Sequence, residues 1–121
     1  MDLETSPERI VERSTTDGPM CHTNHCLDPV HAELQGEETI ESSRARFVRM
    51  TSALKASDHT VEGVRQLFAD RSDGVNSINR YAEDDQGTAT NSVFIAVPER
   101  REAYACRGPA DRGQWLTLKF S

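Results

Sequence analysis

Six consecutive residues, Cys21-His22-Thr23-Asn24-His25-Cys26, carry two thiols, two imidazoles and a carboxamide, shortly after an Asp17-Gly18 pair. Three chemistries are open to such a tract. The first is metal binding, since zinc accepts thiolate and imidazole, and His31 lies close by. Structural zinc sites usually draw ligand pairs from two separated segments, however, and downstream only Cys106 and His59 remain, each alone. The second is a Cys–His nucleophile. That chemistry needs the two groups brought together by the fold and oriented by a third, which adjacency in sequence does not provide. For both Cys26 and Cys106 the plainer reading, a small buried hydrophobe, is favoured. The third is electrostatic: the carboxamide of Asn24 can offer its N–H to an oxyanion developing on a substrate carbonyl. It can also satisfy turn backbone, and the residues alone favour that plainer use.

The surrounding pattern suggests how the tract is held. Leu3-Glu4-Thr5 reads as the end of a strand leaving through Ser6-Pro7, and Arg9 to Arg13 has β-branched content. Thr16-Asp17-Gly18-Pro19 is a turn signal, so Met20 to Asn24 is expected to be a returning strand with Asn24 and His25 at its end. Cys21 and His22 would then point to opposite faces, which weakens a shared metal. Residues 27–41 read as a long loop. Ser42 or Ser43 is placed to cap a helix over Arg44 to Ala56, with Phe47, Met50 and Leu54 on one stripe. Asp58-His59-Thr60 should cap a second helix, with Val64, Leu67 and Phe68 inward and Arg65 and Gln66 outward. Ser92 to Val97, Glu102 to Arg107 and Gln114 to Phe120 read as three strands, the last alternating Leu116, Leu118 and Phe120 against Trp115, Thr117 and Lys119. The expected order is hairpin, loop, two antiparallel helices and a three-stranded antiparallel meander: an α+β fold in a single domain over residues 1–121.

Composition narrows the classes of function. Hydrophobic residues make up 36% and charged residues 28%, as in globular chains. The net charge of −6 argues against a nucleic-acid surface, which needs clustered Lys and Arg. The longest apolar run, Val93 to Val97, is too short to cross a bilayer, so no membrane role is expected. Three cysteines without framework spacing, and an N-terminus unlike a secretory signal, suggest reduced thiols in the cytoplasm.

The tract His22-Thr23-Asn24-His25-Cys26 after Asp17-Gly18 resembles that of the acyl-coenzyme A:6-aminopenicillanic acid acyltransferase (isopenicillin N acyltransferase) family of cysteine N-terminal-nucleophile enzymes. The similarity runs in order through the chain: Leu3 to Pro7, Ser43-Arg44-x-Arg46, Leu67-Phe68-Ala69-Asp70, Ser77-Ile78-Asn79-Arg80, Arg100-Arg101-Glu102-Ala103 and Arg107-Gly108-Pro109. The resemblance implies the C-terminal part of an αββα sandwich. It implies attack by the thiol of an N-terminal Cys, freed by self-cleavage, on an amide or acyl-thioester substrate, with its own α-amine as base and no cofactor. Asn24 would be the catalytic oxyanion donor, and His22 and His25 would shape and polarise the substrate-binding wall.

None of the three cysteines stands where that family places its nucleophile. Cys21 follows Met20, Cys26 follows His25 and Cys106 follows Ala105, whereas the family cuts after Gly. Gln86-Gly87-Thr88 also departs from the Ser-Arg-Gly expected of the penicillin acyltransferase itself. The expectation is therefore an oxyanion-hole wall whose nucleophile lies upstream of Met1. Alone, such a chain should be inactive and should expose an apolar sheet face. Two alternatives stand beside it: a non-catalytic half-domain that binds a separately encoded N-terminal partner, and a small Cys/His metal protein.

Overall fold

The computed structural model describes residues 1–15, 17–35, 40–84 and 87–121. Thr16 of the turn signal, residues 36–39 of the long loop and Gln86 lie outside them. The architecture is α+β, in two compact units, Met1–Ala56 and Ser57–Ser121. Among the described residues no helix is long and apolar enough to cross a membrane.

In the first unit, β1 (Asp2–Thr5) pairs antiparallel with β2 (Ile10–Arg13), joined by a turn in which Ser6 N–H donates to Arg9 C=O at 2.8 Å. The hairpin is thus built from the first two segments. Met20–Asn24, expected to be the returning strand, runs outside any ladder. Side-chain hydrogen bonds fix it instead. The hairpin also buries an unexpected residue: Glu4 is 4% exposed, while Leu3 and Ile10 are exposed on the opposite face. A short helix, α1 (Pro29–Ala32), interrupts the long loop, with Asp28 Oδ1 capping the N–H groups of Val30 and His31. Helix α2 (Ile40–Ala56) begins earlier than expected. Ser43 is consequently no cap but an inward residue with no solvent exposure. Phe47, Met50 and Leu54 lie half-buried along the same stripe.

In the second unit, Thr60 caps α3 (Val61–Phe68), its Oγ1 accepting from Gly63 N–H as the sequence suggests. Strands β3 (Ser92–Val97), β4 (Glu102–Arg107) and β5 (Trp115–Lys119) form an antiparallel meander in the order β3-β4-β5. Pro98–Arg100 make a 3-10 turn between the first two strands. One sheet face carries Val93, Ile95 and Cys106, which with Ala110 form a buried cluster packed against Val64, Phe68, Ala69, Tyr104 and Trp115. The other face presents Phe94, Leu116 and Leu118, continued by Phe120, each 41–61% exposed.

Arg65 does not point outward. Its guanidinium stacks over Trp115 at 4.4 Å and Tyr104 at 5.1 Å, giving the charge aromatic faces to rest on. Beyond α3, fully buried Asn79 donates to Asp111 at 2.6 Å and accepts from Ala110 N–H at 3.2 Å. Arg71 holds Asp84 in a two-pronged ion pair, with Nη2 to Oδ1 at 2.8 Å.

Candidate functional site

The His-Thr-Asn-His tract is gripped from β1, α2 and the residues after α1. Glu4 supplies the first grip. Its Oε1 accepts from Leu27 N–H at 2.7 Å and lies 3.2 Å from His22 Nε2, and its Oε2 accepts from Asp28 N–H at 2.8 Å. Burial pushes the Glu4 carboxyl upward, but the N–H donors of Asp28 and Leu27, with His22, outweigh it and hold the group below the usual carboxylate range. An ionised carboxylate therefore sits behind the tract and anchors both His22 and the backbone that follows Cys26.

Helix α2 supplies the second grip, through one turn. Thr23 Oγ1 donates to Ser43 C=O at 3.0 Å, and Ser43 Oγ donates to Thr23 Oγ1 at 3.0 Å. With the Ser43 proton so committed, His25 Nδ1, 2.9 Å from Ser43 Oγ, must be the donor in that pair. His25 is thus held as the Nδ1–H tautomer, which leaves its Nε2 lone pair free of this network. Burial lowers the His25 pKa, and the nearby charges of Arg44 and His22 lower it further, so the ring is neutral at neutral pH. The edge of the imidazole packs on Phe47, with ring centroids 5.5 Å apart at 84°.

Asn24 is held between these two histidines. Arg46 Nη2 donates to Asn24 Oδ1 at 2.9 Å. Because guanidinium only donates, the oxygen end of the carboxamide must face Arg46, and the NH2 end is turned the other way. The backbone is pinned as well: the Gln35 amide donates to Asn24 C=O at 2.6 Å and accepts from Cys26 N–H at 2.6 Å. The result is an exposed carboxamide of fixed polarity, presenting donors. An oxyanion requires that arrangement.

Cys21 and Cys26 each line a hollow that Asn24 does not. Cys21 Sγ lies 3.1 Å from Thr51 Oγ1 and lines a 390 Å³ cleft with Phe47, Thr51 and Leu54; Asn24 does not line it. Cys106 is 2% exposed, and burial raises its thiol pKa, so it is a protonated core residue. Cys26, read from sequence as buried, is only half-buried and borders a separate 280 Å³ hollow with His31 and Gln35. Nor does the tract gather a Cys/His metal cluster. Cys21 lies against Thr51 and His25 against Ser43, while His22 faces the Glu4 carboxylate, away from both thiols.

Four supporting residues, Glu4, Gln35, Ser43 and Arg46, escaped the sequence reading as such. Ser43 carried a usable signal, because it lies four residues before Phe47 and therefore on the inward stripe. Arg46 stands three residues after Ser43, on the same face, but its partner could not be read from helix spacing. Glu4 gave no signal, since a carboxylate in an alternating hairpin normally faces water.

A family model for acyl-coenzyme A:6-aminopenicillanic acid acyl-transferase matches residues 2–111, nearly the whole chain and every element that holds the tract. This chain belongs to the acyl-coenzyme A:6-aminopenicillanic acid acyl-transferase family.

Proposed function

We propose that this chain is the C-terminal portion of a cysteine N-terminal-nucleophile acyltransferase or amidohydrolase, acting on amide or acyl-thioester groups. The observation that carries the reading is the fixed carboxamide of Asn24, with its oxygen tied to Arg46 and its NH2 presented outward. In the reaction, the thiolate of an N-terminal Cys attacks the substrate carbonyl and the carbonyl oxygen becomes an oxyanion. Asn24 Nδ2–H donates to that oxygen. Collapse expels the amine or thiol and leaves an acyl-enzyme, which water or an amine then resolves. His22 and His25 form the wall on either side of the donor, each locked by its own partner, so the donor does not reorganise as charge develops.

The nucleophile belongs to polypeptide other than these 121 residues. Cys21, Cys26 and Cys106 follow Met20, His25 and Ala105, not the Gly after which the family cuts, so none is placed to be freed with the α-amine that the mechanism uses as base. The exposed Phe94, Leu116, Leu118 and Phe120 supply an apolar face for such a partner half, within an αββα sandwich. The test is hydrolysis of a thioester and an amide by the purified chain. No turnover is expected, and turnover appears on adding the cysteine-bearing segment. Robust turnover by the chain alone, abolished by Cys21→Ala or Cys26→Ala, would overturn the proposal.

A further inference from the structure

Behind the tract, three side chains converge on the buried carboxylate of Glu4, and one of them is unexplained by anything above. His31 on α1 is 3% exposed, and neither of its ring nitrogens has a hydrogen-bond partner. Buried imidazoles are normally satisfied on at least one nitrogen, and an orphan of this kind calls for a ligand. Its Nδ1 lies 3.8 Å from Glu4 Oε2, too long for a direct hydrogen bond but aimed at the carboxylate. On the other side His22 Nε2 lies 3.2 Å from Glu4 Oε1, and the ligand atoms of Asp2, Glu4 and His22 all fall within 4.8 Å of one another.

We propose that Asp2, Glu4, His22 and His31 form a binding site for a divalent transition ion of the zinc class, set into the support behind the active-site wall. Two carboxylates and two imidazoles are a donor set that zinc accepts. Bonds of about 2.0–2.2 Å in a tetrahedron place neighbouring ligand atoms about 3.3 Å apart, close to the 3.2 Å between His22 Nε2 and Glu4 Oε1; His31 Nδ1, 3.8 Å from the other carboxylate oxygen, would move in to complete the set. The backbone N–H groups of Leu27 and Asp28 already orient that carboxylate from behind, as outer-shell donors do around a metal. An ion would also give the orphaned His31 a partner.

One cation already competes for the same charge. Arg13 Nη1 lies 3.0 Å from Asp2 Oδ2 and 3.9 Å from Glu4 Oε1, on a side chain that is one-third exposed. Zinc would displace it toward water. The site is independent of the catalytic reading, because it needs neither the nucleophile nor a substrate.

The experiment is calorimetric titration of the chelator-stripped chain with zinc chloride, read alongside the imidazole NMR signals of His22 and His31. One equivalent should bind, and both rings should shift. His22→Ala, at a solvent-exposed position, should weaken binding by more than the roughly 10–100-fold that loss of an outer-shell partner costs. His31→Gln should do the same, with circular dichroism reporting whether the fold survives. Arg13→Gln should tighten binding by removing the competing charge. No saturable uptake would overturn the proposal. So would uptake that survives His22→Ala but is lost in a Cys21→Ser, Cys26→Ser double variant, which would place the ion on the tract's thiols. Activity is not the readout, so failure here leaves the acyl-transfer reading untouched.

Discussion

Replacing Glu4 by Gln tests whether one carboxylate holds the tract. The change preserves shape and removes charge. Each carboxylate oxygen accepts one backbone N–H, from Leu27 at 2.7 Å and from Asp28 at 2.8 Å. A carboxamide has only one oxygen, so whichever way it turns, an NH2 group must face a backbone N–H. Leaving that buried donor unpaired costs about 1–3 kcal/mol, and the bonds that remain lose their charge assistance, worth about 1 kcal/mol. The sum is about 3 kcal/mol, which at 1.4 kcal/mol per factor of ten is about 100-fold in a local opening equilibrium. Amide hydrogen exchange reads it directly: the Leu27 and Asp28 amides should exchange about 100-fold faster, while those of β3 keep their rates. Unchanged rates at residues 27 and 28 would refute the reasoning, because the buried carboxylate would then not be what fixes that backbone.

Other perturbations probe the remaining supports. Ser43→Ala removes one oxygen beside His25 Nδ1 but leaves Thr23 Oγ1, 3.0 Å away, to accept its proton, so it should cost about 0.5–1.5 kcal/mol and keep the Nδ1–H tautomer in nitrogen-15 spectra. Gly113→Ala would set a methyl group 2.3 Å from Cys106 Sγ and 2.4 Å from the Arg107 carbonyl oxygen. The backbone there cannot yield cheaply, so a loss of about 1–3 kcal/mol is expected in urea unfolding followed by Trp115 fluorescence. The hydrogen bonds and charge of Arg71 lower the Asp84 pKa from 3.8 to about 2. The folded pKa is the lower one, so this pair's stabilisation is fully present above about pH 4 and is lost as pH falls toward 2. Asp84→Asn should flatten that part of an acid-unfolding curve.

Much of the fold was legible because local signals and tertiary packing agree. The strands Ser92–Val97 and Glu102–Arg107 and the Thr60 cap of α3 fall where alternation and capping chemistry put them. The misses have physical causes. Met20–Asn24 looked like a strand because a turn signal precedes it, but the segment is held by Gln35 on Asn24 C=O, by Thr23 on the Ser43 carbonyl and by His22 on Glu4, with no ladder. Ser43 looked like a cap because Ser favours that role, whereas its hydroxyl is used in a tertiary bond to Thr23 and the helix extends past it. Arg65 was assigned outward by helical phase alone, and the aromatic rings of Tyr104 and Trp115 draw it back over the sheet. The site's residue types could be read from one six-residue tract. The groups that aim them come from residues 4, 35, 43 and 46, and only the fold brings those together.

The acyl-transfer account rests on the outward NH2 of Asn24. Its most direct test is steady-state kinetics of Asn24→Ala in the enzyme assembled from this chain and its cysteine-bearing segment, with a thioester substrate. The account predicts that kcat falls by about 10²–10³ while KM changes little, because the lost bond forms only as the oxyanion develops. A kcat equal to that of the parent enzyme would contradict it.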